Sequence, residues 1–151
     1  MGNLHVCNHN CDINSTAENI HELDFKKSLH YAAVNNDLEK AKKLSLTTLR
    51  SIINNYDSSG YTPMHYAVRN GNYEFVQFLL NNGACVHILT KHGQVSSLHR
   101  AVMSGSLSMV RLLLENGSNP LIVDSDLRSV LDVAERCGNA EIIDMIKKYY
   151  L

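Results

Sequence analysis

No stretch of this 151-residue chain carries more than a few apolar residues in succession. Runs such as Leu112 to Leu114 fall far short of the roughly 20 residues that cross a bilayer, so no membrane-spanning helix is expected. There is no charge excess either. With 14 Lys and Arg against 15 Asp and Glu the formal net charge is -1, which offers no global field to nucleic acid or to anionic lipid. Residues 1–14 lack Lys, Arg and any apolar run of signal-peptide length, leaving a secretory route unsupported. Met1-Gly2 is followed by Val6 where a lipidation signal prefers Ser or Thr, so no lipid anchor is expected. Catalytic fingerprints are also missing: Gly-x-Ser-x-Gly, His-Glu-x-x-His, Walker and dinucleotide motifs do not occur, and neither an enzyme nor a cofactor is expected. These absences fit a reducing, cytoplasmic or nuclear compartment. No structural disulfide is expected there, with Cys85 and Cys137 in patterned segments that would bury them as small hydrophobes.

What is present is a globular composition and a repeat. Hydrophobic residues make up 44% and charged residues 19%, enough for one domain or a short repeat array. His65, Ala67, Val68, Gly71, Leu79, Leu80 and Gly83 recur 34 positions later as His99, Ala101, Val102, Gly105, Leu113, Leu114 and Gly117. A further 33 positions relate Leu98, Ala101 and Gly105 to Leu131, Ala134 and Gly138, while His30-Tyr31-Ala32 lies 35 before His65-Tyr66-Ala67. Four units follow, each too small to bury an apolar face alone, so neighbours must stack.

The second unit shows the local physics. Asp57-Ser58-Ser59-Gly60 is a β-turn sequence. Thr62-Pro63 starts a helix to about Asn70, with a capping hydroxyl and a proline whose missing N–H costs nothing there. Gly71 stops it, and a second helix, Tyr73 to Asn82, carries Phe75, Val76, Leu79 and Leu80 on one side before Gly83 stops the chain again. The string Gly60-Tyr61-Thr62-Pro63-Met64-His65-Tyr66-Ala67, then Gly71, then Phe78-Leu79-Leu80-Asn81-Asn82-Gly83-Ala84, closely resembles the ankyrin repeat. The resemblance implies an all-α solenoid of four stacked turn-helix-helix units and an interaction role without catalysis. The third unit has one extra residue between Gly93 and Leu98 and lacks the Thr-Pro pair, so an irregular opening turn is expected. The first unit has Asn36 at the usual Gly position, and the fourth has Leu127 at the turn Gly and Asp132 at the His; both suit capping repeats. Residues 1–22 are expected to form a flexible tail and 23–151 the repeat domain.

His30, His65 and His99 hold the repeat's consensus position, where an imidazole is expected to tie one turn to the next rather than act as a base. In the tail, His5, Cys7, His9 and Cys11 are zinc-ligand types at poor spacing, and no bound metal is expected. An alternative function is a zinc-binding protein organised by that tail; another, drawn from ankyrin relatives, is an inhibitor of a protein kinase or transcription factor. The leading expectation is a monomer that binds a partner protein through the concave face. Its contact positions are the variable ones: Ser58, Ser59, Tyr61, Arg69 and Asn70 in the second unit, Lys91, His92, Gln94, Met103 and Ser104 in the third, and Ser125, Asp126, Arg128, Arg136 and Cys137 in the fourth. Tyr66 and Arg100 join them from the first helices. Tyr and Arg dominate protein interfaces, and Arg69, Lys91, Arg100, Arg128 and Arg136 outnumber the single Asp126, which points to an acidic or aromatic-lined partner.

Overall fold

The computed structural model describes residues 29–150. The expected tail (1–22), the tail residues His5, Cys7, His9 and Cys11, and the expected domain start at 23 lie outside the described residues. Residues 29–35 are helical (α1), followed by α2 (Leu38–Lys42) and α3 (Leu46–Ile52). The second unit is α4 (Pro63–Arg69) and α5 (Tyr73–Asn81), the third α6 (Ser97–Met103) and α7 (Leu107–Glu115), and the fourth α8 (Val130–Cys137) and α9 (Ala140–Tyr150). Among the described residues there is no strand, only single bridges pairing Leu89 with Ser96 and Val123 with Ser129 at the base of two hairpins. The chain is an all-α solenoid of turn-helix-helix units.

First helices pack on first helices, α4 on α6 on α8, while α7 packs on α9 in the second layer. Ala32, Ala67, Ala101 and Ala134 stand at equivalent points of the first helices and are each 0% exposed. A methyl group there lets neighbouring helices approach closely, which is why the repeat keeps alanine at that point. Phe75, Leu79, Met109, Leu113, Ile142 and Ile146 fill the space below from the second helices. In the first unit the second-helix segment is split, because Ser45 accepts from the Thr48 N–H at 3.2 Å and so opens α3 as a new helix.

The helix starts follow one device with one variation. Thr62 Oγ1 lies 2.8 Å from His65 Nδ1, and the Thr62 N–H reaches the same nitrogen at 3.3 Å. Ser96 and His99 repeat this geometry. In the fourth unit Asp132 replaces the histidine and takes over its local task, accepting from the Ser129 N–H at 2.7 Å and the Ser129 hydroxyl at 2.6 Å.

With Nδ1 accepting, the neutral ring carries its proton on Nε2, which is free to reach across to the following hairpin. His30 Nε2 lies 3.0 Å from the Tyr61 carbonyl and 3.1 Å from that of Asn55, and His99 Nε2 lies 3.1 Å from the Arg128 carbonyl. These are the ties expected of the consensus histidine. Burial lowers the His65 pKa to about 4; its Nε2 is turned to the Val95 and Ile88 backbone without closing a hydrogen bond of ordinary geometry. Asp132, acidic and short, makes no such crossing.

Among the described residues three non-glycines adopt left-handed backbone: Asn36 (φ 55°), Gln94 (φ 50°) and Leu127 (φ 60°). Asn36 and Leu127 do what glycine does elsewhere in the repeat. Gln94 follows Gly93 (φ 82°), so the extra residue of the third unit is absorbed as two consecutive left-handed residues. The opening turn is irregular for that reason.

Candidate functional site

The hairpin tips and first helices present a continuous face, and its spacing is set by backbone. The Lys91 N–H donates to the Gly60 carbonyl at 3.0 Å, and the Ser125 N–H to the Gly93 carbonyl at 2.9 Å. Gly60 is required at this crossing, since a Cβ there would stand 2.7 Å from the Lys91 Cβ.

At the middle of the face Tyr61 and Tyr66 lie with ring centroids 5.4 Å apart and tilted by 40°. The Tyr66 hydroxyl donates to Asp57 Oδ2 at 2.7 Å, while Asp57 Oδ1 accepts from the Ser59 and Tyr61 N–H groups. Partial burial would raise the Asp57 pKa, but the Tyr61 and Tyr66 hydrogen bonds outweigh it and hold the carboxyl below its usual range. Burial, then the Asp57 carboxylate, push Tyr66 up to about 12, so its hydroxyl keeps its proton. Arg100 reaches Tyr61 from the next unit, with Nη2 3.0 Å from the hydroxyl and the guanidinium carbon 5.4 Å from the ring centroid. Tyr61, Tyr66 and Arg100 are thus one half-buried cluster of side chains in mutual contact.

The other expected contact residues divide into exposed and engaged. Ser58, Ser59, Arg69, His92, Met103, Arg136 and Cys137 are exposed on this face. Lys91 is exposed with its Nζ 5.0 Å from the Tyr56 ring centroid. Asn70 spends its amide on the Val34 carbonyl at 2.8 Å, tying the second unit to the first. Arg128 differs most from the sequence expectation. It is held by Asp124 at 2.7 Å and Asp126 at 2.8 Å, so its charge is balanced within the hairpin. Asp124 is buried; the Arg128 hydrogen bond, outweighing burial, lowers its pKa to about 2. Five cations against Asp126 is therefore too positive a balance for this face, because Asp124, which carries the turn, pairs with Arg128. Cys137 is exposed, as its place among the contact positions implies and against its expected burial as a small hydrophobe; Asn70 and Ser104 at the corresponding helix ends are exposed too.

A cavity of about 320 Å³ opens between α6 and α8 on the same face. Arg100, Met103, Arg128, Arg136 and Cys137 line it, five positions that the sequence pattern singles out. Among the described residues no group of three or more His, Cys, Asp or Glu side chains is placed to hold a metal ion, and no helix is long and apolar enough to cross a membrane.

A family profile described as ankyrin repeats (3 copies) matches residues 2–90, and a second, ankyrin repeats (many copies), matches residues 98–146. The chain belongs to the ankyrin repeat family. Human ankyrin repeat domain-containing protein 39 is 38% identical over 78 residues, covering 52% of this chain and 42% of that protein. A putative ankyrin repeat protein of fowlpox virus is 30% identical over 92 residues, 56% of this chain and 13% of the relative. Human transient receptor potential cation channel subfamily A member 1 is 38% identical over 56 residues, 37% of this chain and 5% of the channel. The matched stretch spans less than half the length of each of these relatives. Ankyrin repeats are generally protein–protein interaction modules.

Proposed function

We propose that this chain is a non-catalytic binding module, a monomer of the cytoplasm or nucleus, that holds a partner protein through the concave face formed by its hairpin tips and first helices. The observation that carries this reading is the Tyr61–Tyr66–Arg100 cluster, in which two tyrosines and an arginine from adjacent units are ordered before any partner arrives. Aromatic and arginine side chains supply most of the energy of protein interfaces, and fixing them in advance removes part of the ordering cost of binding. Repeats supply a rigid support for the same reason. With Arg128 neutralised by its hairpin, Arg69, Lys91, Arg100 and Arg136 remain as the cations of the face, and the partner surface that suits them is acidic or aromatic.

The test is affinity capture from cell lysate with the wild-type chain beside a Tyr61→Ala, Arg100→Ala double variant, followed by direct binding of the captured protein. A partner held by the wild type and lost by the helical, folded double variant is the expected result. A partner held equally by both places binding elsewhere on the solenoid.

A further inference from the structure

The groove between α6 and α8 has a composition distinct from the tyrosine cluster beside it. Val95 and Val133 give it apolar walls, and Met103, 58% exposed, stands at its rim. Its charged lining is Arg100, Arg128, Arg136 and Asp124. Arg128 is matched by Asp124 inside and by Asp126 from the hairpin tip. Arg100 spends an Nη N–H on the Tyr61 hydroxyl, and its Nε is buried with no hydrogen-bond partner among the described residues. Among the described residues neither Arg100 nor Arg136 pairs with a carboxylate. His99 also lines the groove; burial lowers its pKa, and its ring is already engaged with Ser96 and the Arg128 carbonyl. The lining therefore sums to two positive charges, and with Asp126 at the hairpin tip counted one remains in excess, beside apolar surface.

We propose that this groove receives a single Asp or Glu side chain of a partner protein, held between Arg100 and Arg136, with an adjacent apolar side chain of the same segment lying on Val95, Met103 and Val133. The proposal rests on the concave-face reading and adds to it the chemistry of one anchor. Its size agrees: about 320 Å³ is at the low end of ligand-pocket volumes, roughly 300–1,000 Å³, and holds one or two side chains rather than a folded element. Its charge agrees as well. One carboxylate balances the excess, whereas a phosphate dianion would set a surplus negative charge against Asp124 and Asp126. Guanidinium groups bind carboxylates through paired, charge-assisted hydrogen bonds, which supplies direction as well as attraction.

The probe is a displayed library of random dodecapeptides selected on the intact chain, followed by fluorescence anisotropy of the enriched peptides. Enriched peptides should share an acidic residue next to Leu, Met or Phe. Their affinity should fall about tenfold or more for Arg136→Glu and recover when the peptide's acidic residue is changed to Arg. Bound peptide should also slow alkylation of Cys137, followed by mass spectrometry. Peptides that need Tyr61 but ignore Arg136→Glu would overturn the groove and leave the concave face standing. Peptides indifferent to Arg136→Glu and to Tyr61→Ala would overturn both. Selection of peptides without a shared acidic residue, no selection at all, tighter binding when phosphoserine replaces the acid, or a second copy of the chain occupying the groove would each overturn the carboxylate anchor.

Discussion

Arg100 lies across the ring of Tyr61, joined to its hydroxyl at 3.0 Å, although 39 residues separate the two in sequence. The contact exists because α6 stacks on α4 and brings one unit's first helix against the preceding hairpin. It couples two residues that would otherwise offer independent energies. Tyr61→Ala and Arg100→Ala should each weaken partner binding by about 1–3 kcal/mol, and the double variant by less than their sum, since either change alone frees the other side chain. Calorimetry of the four proteins gives the coupling; strictly additive losses would show that the pair is not a unit in the complex.

The Asp124 carboxylate accepts from the Asp126 and Arg128 N–H groups and from the Arg128 side chain at two nitrogens. Asp124→Ala removes all four acceptor contacts inside a buried turn. A loss on the order of 2 kcal/mol in unfolding free energy is expected, below the figure for a fully buried pair because Arg128 remains partly in water. Denaturant titration reads it, and a change within error would contradict the structural role given to Arg128.

Acid should destabilise the fold in two separate windows. The His65 pKa falls from 6.5 to about 4 on folding, so between those values the unfolded chain takes up a proton that the folded chain refuses. Stability is complete above pH 6.5 and declines as pH falls toward 4, by on the order of 3 kcal/mol for this residue, with His99 adding in the same direction. Asp124, lowered from 3.8 to about 2, adds a second decline below that window. His65→Gln should reduce the upper slope to the part that His99 contributes and leave the lower one. A wild-type stability that stays level through the upper window would refute the assignment.

Two glycines with nearly the same backbone angle should respond differently to alanine. Gly60 (φ 78°) and Gly71 (φ 71°) both pay for a left-handed alanine, about 1–2 kcal/mol. At Gly71 nothing stands near the added methyl, whereas at Gly60 it meets the Lys91 Cβ at 2.7 Å. Gly60→Ala should therefore lower the melting temperature further than Gly71→Ala. Equal shifts would mean that the hairpin contact yields at no cost.

Sequence and structure agree where the determinant is local. The helix start at Thr62, the stop at Gly71 and the left-handed Asn36 all follow from residue types and their immediate neighbours. The repeat period also fixes a position's direction: Ser58, Ser59, His92 and Met103 are exposed, although Cys137, expected to be buried as a small hydrophobe, is exposed as well. What the period does not fix is the partner a side chain finds in the next unit. Arg128 counted as a free cation in the sequence, since nothing local distinguishes Asp124 as its buried counterion. Asn70 counted as a contact residue until stacking placed the Val34 carbonyl 2.8 Å from its amide. The groove between α6 and α8 is illegible for the same reason: the repeat marks Arg100, Met103, Arg136 and Cys137 one by one and gives no sign of Val95, Asp124 or Val133, and only the packing of two helices makes them walls of one cavity.

The hairpins are joined tip to tip by main-chain atoms, from Lys91 to Gly60 and from Ser125 to Gly93. Display and spacing are therefore carried by different parts of the molecule. Side chains at 58, 59, 92 and 126 can be rewritten without moving the points from which they project, so a lineage or a laboratory can change what this surface recognises while leaving its ruler untouched.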